Sequence, residues 1–337
     1  MRVYVGIDLH AKRSVIVVKE ESGKRLTCKR VPNDLELIRM VLDPYRENVA
    51  GVAVESTFNW YWLVDGLKDA GYRLRLANPA RMQPYKGLKH SDDVTDAEWL
   101  AEMLRLGILP EGYIYPREER PLRDLLRRRS RLVRQRTASI NSTLGIMSNN
   151  TGHRPKTNEV KAWTDDDLDE LFANADLVLA ARANVEVIRC LTEQIEKIEK
   201  SVLTRARLRP EFKVLLSMSG IGKILALTIM YETGDIGRFA SVGNFASYCR
   251  LVDSKWLSDE KRKGSGNTRC GNGYLHWAFI EAAHFAMCNE RIKRFHARKT
   301  NKRKHKMVAT GAVAHKLARA CYHMLKKQEE FDVNKAF

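Results

Sequence analysis

Paired cysteines, long apolar runs and a nucleotide loop are all missing from this 337-residue chain. The six cysteines, at 28, 190, 249, 270, 288 and 321, contain no C-x-x-C pair. That spacing excludes a zinc ribbon and a disulfide framework, and it predicts reduced thiols. No apolar stretch approaches the roughly 18 residues of a membrane span, so no membrane partner is expected. A G-x-x-x-x-G-K-[ST] loop is absent, which removes the P-loop ATPases. The N-terminus opens into a strand carrying an acid, unlike a signal peptide. These absences predict a cytoplasmic protein.

Negative charge is also scarce, but only in places. The formal charge is +18. Residues 1–112 hold 17 Lys/Arg against 16 Asp/Glu, whereas residues 113–150 hold 9 against 3 and residues 206–337 hold 25 against 11. Between them, residues 151–205 are slightly acidic, at 8 against 11. A basic excess confined to segments is the footprint of a polyanionic partner. With roughly 150 residues per domain as a prior, the length predicts two domains and a connector.

What the chain does have is four well-placed carboxylates. Asp8 ends the apolar run Val3–Ile7, and Glu55 ends the run Val49–Val54. Continuous apolar runs of this length read as buried strands, and function gathers at strand carboxyl ends. Asp93 and Asp96 stand three apart at the start of a predicted helix and therefore share a face. Four acids so arranged suit hard cations used in phosphodiester chemistry. The competing reading is a helix cap at Asp93 and three ordinary surface acids.

Strands are predicted at 2–9, 14–19, 26–31, 49–55 and 73–77, and helices at 33–44, 59–70 and from Asp93 to about Leu106. A three-strand meander followed by alternating helix and strand implies a mixed sheet with helices on it, in the ribonuclease-H-like order. Downstream, Leu122–Arg136 carries seven arginines and one acid, with Leu122, Leu125, Leu126, Leu132 and Val133 roughly at helical spacing. Arg127, Arg128, Arg129 and Arg131 are its candidate nucleic-acid contacts. After a polar break at 148–160, a long helix is expected to about 203. Its Ile188, Leu191, Ile195, Ile198 and Val202 alternate spacings of three and four, a short coiled-coil seam for the 122–147 helix or for dimerisation.

From Arg207 onward, Leu215–Lys223 reads as helix, glycine turn, helix. Either it is a helix-hairpin-helix whose Gly220-Ile221-Gly222 turn and Lys223 approach a phosphate, or a plain turn. The segment 254–272 is predicted to be a basic loop that contacts a phosphate backbone through Lys261, Arg262, Lys263 and Arg269, with a plain solvated loop as the alternative. Residues 293–306 add eight Lys/Arg in fourteen, and they read as another nucleic-acid face that includes Lys302 and Arg303, or else as a solvated surface.

Taken jointly, Gly6-Ile7-Asp8-Leu9-His10, Val54-Glu55-Ser56-Thr57, Asp93-Val94-Thr95-Asp96-Ala97, Ser219-Gly220-Ile221-Gly222 and the stretch Ser258–Asn272 resemble the insertion-sequence 110 family of transposases. The resemblance covers nearly the whole chain. It implies a RuvC-like nuclease domain at 1–112, a basic helix and coiled-coil connector at 113–205, and a mainly helical transposase domain at 206–337. It further implies Mg²⁺ on Asp8, Glu55, Asp93 and Asp96, and Ser258 as a nucleophile forming a phosphoserine link to DNA. Donor and target DNA, a structured non-coding guide RNA and a homo-oligomer are the implied partners. The chain departs from the family pattern before Ser258, where Arg250-Leu251-Val252-Asp253 replaces Gly-Leu-x-Pro, and after it, where Asp replaces Gly. Ser91-Asp92-Asp93 replaces Lys-Thr-Asp, leaving Asp92 as a competitor for the third acid.

A serine hydroxyl needs a base or a metal to become nucleophilic. Ser254 and Ser265 are the alternatives to Ser258. Two other functions remain compatible with the sequence: a RuvC-like nuclease that hydrolyses junctions with water, and an RNA-binding structural protein that keeps only the scaffold.

Overall fold

A computed structural model describes residues 1–82, 92–206, 209–252, 255–258, 261–265, 270–303 and 305–337. At 255–258, 262–265, 302 and 303 the description is limited to the backbone. The chain divides into two compact units, one built on Met1–Arg117 and one on the bulk of Glu118–Phe337.

The first unit is a six-stranded sheet: β1 (Val3–Leu9), β2 (Arg13–Glu20), β3 (Arg25–Pro32), β4 (Val49–Glu55), β5 (Leu74–Ala77) and β6 (Glu111–Gly112). Their order across the sheet is β3-β2-β1-β4-β5-β6. The strands β1, β4 and β5 run parallel, while β2, β3 and β6 pair antiparallel with their neighbours. The expected mixed sheet of ribonuclease-H-like order is present, with a two-residue edge strand added.

Alternation along the strands decides which face each residue serves. Val3, Val5, Ile7, Val52 and Val54 pack with Ile38 and Leu42 of α1 (Leu35–Leu42) and Leu63, Val64 and Leu67 of α2 (Tyr61–Asp69). After α3 (Pro79–Met82), the opposite face receives α4 (Asp93–Arg105). Ala53, Ala77, Leu100 and Met103 form one cluster there, and Val15, Val17 and Ala97 another. Gly6 lies under α4 so closely that a Cβ on it would stand 2.0 Å from Ala97 O and 2.6 Å from Ala101 N. Lys19 Nζ, nearly buried on β2, reaches Glu102 of α4 at 2.7 Å and ties the same two elements.

The second unit opens with α5 (Arg120–Thr151), 32 residues long. A single helix following the 148–160 break is not what forms. Two short helices intervene, α6 (Thr157–Ala162) and α7 (Asp165–Leu171), before α8 (Ala175–Ala206). Thr164 is the reason for the second: its hydroxyl accepts from Asp167 N and the Asp167 carboxylate accepts from Thr164 N, a capping box that starts a fresh helix. The α5–α8 pair is antiparallel, with Arg129 at Glu199, Arg136 at Thr192 and Ser142 at Asn184. Ile188, Ile195 and Val202 of the expected seam are buried, so it is used within the chain.

The remaining elements are α9 (Pro210–Leu216), α10 (Lys223–Thr233), α11 (Val242–Tyr248), α12 (Gly273–Phe285), α13 (Glu290–Arg303), α14 (Lys306–Lys327) and α15 (Val333–Ala336). They share one core with Leu126, Val202 and Ala206 from the long helices. The expected basic loop contains a hairpin instead, β7 (Lys255–Ser258) against β8 (Lys261–Ser265). Both strands are short, and β8 (Lys-Arg-Lys-Gly-Ser) has no apolar residue, so neither carries the apolar pattern that marks a strand in sequence. No helix among the described residues is long and apolar enough to cross a membrane.

Candidate active site

Strand parity brings the acids to one face. Asp8 follows Gly6 by two residues and Glu55 follows Ala53 by two, so both side chains belong to the face covered by α4. Gly6 and Ala53 are also register partners across β1 and β4. The N-terminal turn of α4 supplies Asp93 and Asp96. It begins where it does because Asp92 is the N-cap, its carboxylate accepting from Thr95 N at 2.6 Å. That bond holds the Asp92 carboxyl below the ordinary range. Asp92 is thereby occupied as a cap, and Asp93 is the residue turned to the cluster.

Asp8 is 4 % exposed, at the end of β1. Its Oδ2 lies 3.0 Å from His10 Nε2, and the same nitrogen lies 3.2 Å from Asp93 Oδ1. Arg13 approaches the other Asp93 oxygen at 3.4 Å. Burial raises the Asp8 pKa; His10 opposes the rise, and the charges of Asp96 and Asp93 add to it. The cluster thus concentrates negative charge where water is scarce, the condition a bound cation relieves.

Asp8, His10 and Asp93 each offer a ligand atom within 4.8 Å of the others, and they are the one such group among the described residues. Hard carboxylate oxygens suit a divalent ion such as Mg²⁺. The imidazole sits between the two carboxylates and is 44 % exposed, with room to leave if oxygens alone are to coordinate. Glu55 and Asp96 lie on the same face but outside this group. His10 was not among the sequence candidates, although it stands two residues after Asp8; only the turn after β1 reveals that it points back. That turn is braced by Asn33 Nδ2 and Asn59 Nδ2, which donate to His10 O at 2.8 and 3.0 Å.

The arginines of α5 stand in different surroundings. Arg127 forms a two-bonded pair with Glu232, at 2.6 and 2.8 Å, and Arg129 pairs with Glu199 at 2.8 Å. Both guanidinium groups are engaged internally. Arg128 and Arg131 are exposed.

The glycine turn divides in a similar way. Gly220 (φ +86°) lies against α12, where a Cβ would stand 2.2 Å from Ala282 O, so this glycine serves helix packing. Gly222 caps α10 with open space around it, and Lys223 is exposed. Ser258 is the last residue of β7 and pairs with Lys261 across the hairpin. The side chains of Ser258, Arg262, Lys263, Lys302 and Arg303, and all of Arg269, lie outside the described residues.

Comparison with known proteins agrees with this layout. Residues 5–151 match a family model described as "Transposase", of the DEDD type of IS110, and residues 212–297 match "Transposase IS116/IS110/IS902 family". The chain is 26 % identical over 288 residues to a "Probable family 20 transposase" of Pseudomonas aeruginosa, covering 83 % of this chain and 82 % of that one. It is 24 % identical to the "Transposase for insertion sequence element IS1111A" of Coxiella burnetii, covering 83 % and 76 %. A similar level, 24 % over 94 % of this chain and 95 % of the relative, holds for the IS1328 transposase of Yersinia enterocolitica. One family match spans the acid-bearing sheet and the other the hairpin and its flanking helices, and on that evidence the chain belongs to the IS110 family of transposases.

Proposed function

We propose that this transposase cuts and rejoins DNA through a phosphoserine intermediate, with Ser258 as nucleophile and Asp8, Glu55, Asp93 and Asp96 as its metal site, guided by a structured RNA. The observation that carries the proposal is the convergence of Asp8 and Asp93 on one point from a strand end and a helix start. These four acids would hold Mg²⁺, which supplies charge neutralisation on the phosphoryl oxygens when bound. The buried Asp8 fixes one ligand oxygen against the sheet. Asp93, anchored by the Asp92 cap of its helix, fixes another.

At the hairpin, the Ser258 hydroxyl oxygen forms a bond to phosphorus as one P–O ester bond of the DNA breaks. The departing oxygen takes up a proton and leaves as a free strand end. Rejoining reverses the exchange with a second strand end, so bond energy is retained and no ATP is required. Lys261, exposed and the register partner of Ser258, pairs with a neighbouring phosphate on this reading. Arg128, Arg131 and Lys223 extend the same function, as do Arg262, Lys263, Arg269, Lys302 and Arg303. Sequence choice rests on base pairing with the guide RNA rather than on side chains. The division into nuclease domain, connector and transposase domain at 112 and 205, and assembly as a dimer or tetramer, belong to the same reading.

The test is a covalent adduct. Full-length protein is incubated with Mg²⁺, the RNA transcribed from the DNA flanking the reading frame, and DNA carrying the element's own ends. Wild type should leave a protein–DNA adduct that survives denaturing electrophoresis. Ser258→Ala should lose adduct and recombination while still binding nucleic acid, and Ser265→Ala should keep both. Cleavage without any adduct would replace this mechanism by hydrolysis with water.

A further inference from the structure

The hairpin that carries Ser258 leaves the core between α11 and α12, and its two ends are stitched to each other. Asn272 N–H donates to Tyr248 O at 2.6 Å, and Arg250 Nη2 donates to Gly271 O at 3.1 Å. Arg250 holds a left-handed backbone (φ 56°), and His276 Nδ1 lies 3.1 Å from its carbonyl. Gly271 (φ +84°) is required, since a Cβ there would stand 2.6 Å from Tyr248 O.

One side chain in this junction has both its ends engaged. Asn272 Oδ1 caps α12 by accepting from Tyr274 N and Leu275 N, at 2.9 and 3.2 Å. Its Nδ2 donates to Glu232 Oε2 at 2.7 Å, both residues being buried. Glu232 in turn receives Arg127 of α5, whose guanidinium also lies 4.9 Å from the centre of the Tyr274 ring. Glu232 is the sole charged residue in the buried run Leu225–Thr233 of α10. An apolar residue there would serve packing as well or better, because a buried ion pair is a weak source of stability. Its geometry is specific: it connects the helix bearing the exposed Arg128 and Arg131 to the base of the serine hairpin.

We infer that Arg127, Glu232 and Asn272 are positioning residues, a relay that sets the base of the Ser258 hairpin according to the placement of helix α5. The inference rests on the reading of Ser258 as nucleophile. It acts through Asn272 on the hairpin's geometry and through no contact with DNA.

Two substitutions test it with the fold preserved. Glu232→Gln keeps the volume and an acceptor for Asn272 but removes the charge opposite Arg127. Asn272→Asp keeps the helix cap but sets a carboxylate against Glu232. Circular dichroism melting first fixes a temperature at which each full-length variant is folded. There, binding to the element DNA and RNA should match wild type, while the rate of adduct formation falls at least ~10-fold, as displacement of a reacting group does. Amide hydrogen exchange at 248–252 and 271–276 should accelerate, with exchange in β1 and β4 unchanged. Arg127→Met combined with Glu232→Gln should slow the adduct no further than either alone, because the two act as one unit.

A purely structural role predicts lower melting with adduct rate and local exchange at wild-type values in the folded variants, and that result would overturn the relay. If wild type forms no adduct, the nucleophile assignment fails separately. The exchange comparison then still decides whether the network governs the hairpin base.

Discussion

Gly6 decides how near Asp93 and Asp96 can come to Asp8. The backbone of α4 rests on it, so Gly6→Ala must push the helix away from β1 and carry Asp93 and Asp96 away from Asp8. We expect a loss of roughly 1–3 kcal/mol from overpacking, together with loss of metal-dependent cleavage, read from a denaturant melt and a nicking assay on one preparation. Wild-type cleavage in Gly6→Ala would show that the close approach has no part in the site. Asp8 gives a prediction of opposite sign. Its pKa is raised in the fold, so between the unperturbed value of 3.8 and the raised one the folded state binds more protons than the unfolded state. Stability from this group is therefore complete below that window and lost as pH rises through it. Asp8→Asn should melt higher than wild type at neutral pH in metal-free buffer, and the difference should vanish below pH 3.8. An Asp8→Asn protein that melts lower at neutral pH would contradict the charge crowding described here. The positions of the four acids at two strand ends and a helix start were legible because strand parity and helical spacing are local properties. His10 was not, because its approach to Asp8 and Asp93 depends on a turn braced from two other loops.

Among the elements, α5 shows what periodicity reveals and what it hides. Apolar residues at helical spacing among seven arginines indicate a helix with a charged surface. They give no sign that Glu232, 105 residues beyond Arg127, is waiting in the core. Buried partners of this kind are invisible to a pattern confined to one segment. The same limit explains the misjudged stretch after 148, where a capping box in an acidic run starts a new helix, and the hairpin hidden in a basic segment. The strands β1 to β5 and the glycine turn were legible because apolar runs and glycine punctuation report backbone directly. Separate substitutions resolve the two arginine tasks. Neutralising Arg128 and Arg131 should lower the log–log salt slope of DNA binding by about one unit for each phosphate that is no longer neutralised, with the melting temperature unchanged. Arg127→Met should leave the slope unchanged and cost up to roughly 3–5 kcal/mol, the range for stranding one partner of a buried pair. If Arg127→Met reduced the slope and spared stability, its pairing with Glu232 would be incidental.

At the scale of the molecule, charge and core divide along the same line. The sheet unit has its own apolar cluster around Ile7, Val54 and Leu63, and its sequence is close to neutral. The helical unit has another core around Leu227, Phe279 and Leu317, and with it comes nearly all of the +18. Two separate cores make two cooperative transitions the expectation, so a single unfolding free energy does not describe this chain. Each transition should answer to its own ligand. On the proposed reading Mg²⁺ is held where Asp8 and Asp93 converge, and a ligand at 100 times its Kd adds about 2.7 kcal/mol to the state that holds it. Scanning calorimetry should therefore show the sheet transition rising with Mg²⁺ and losing that response in Asp8→Asn. Short duplex DNA should raise the helical transition, and the rise should shrink as salt increases. If one transition moved with both ligands, or if Asp8→Asn kept the Mg²⁺ response, the division of labour between an acidic metal site and a basic DNA-holding unit would have to be abandoned.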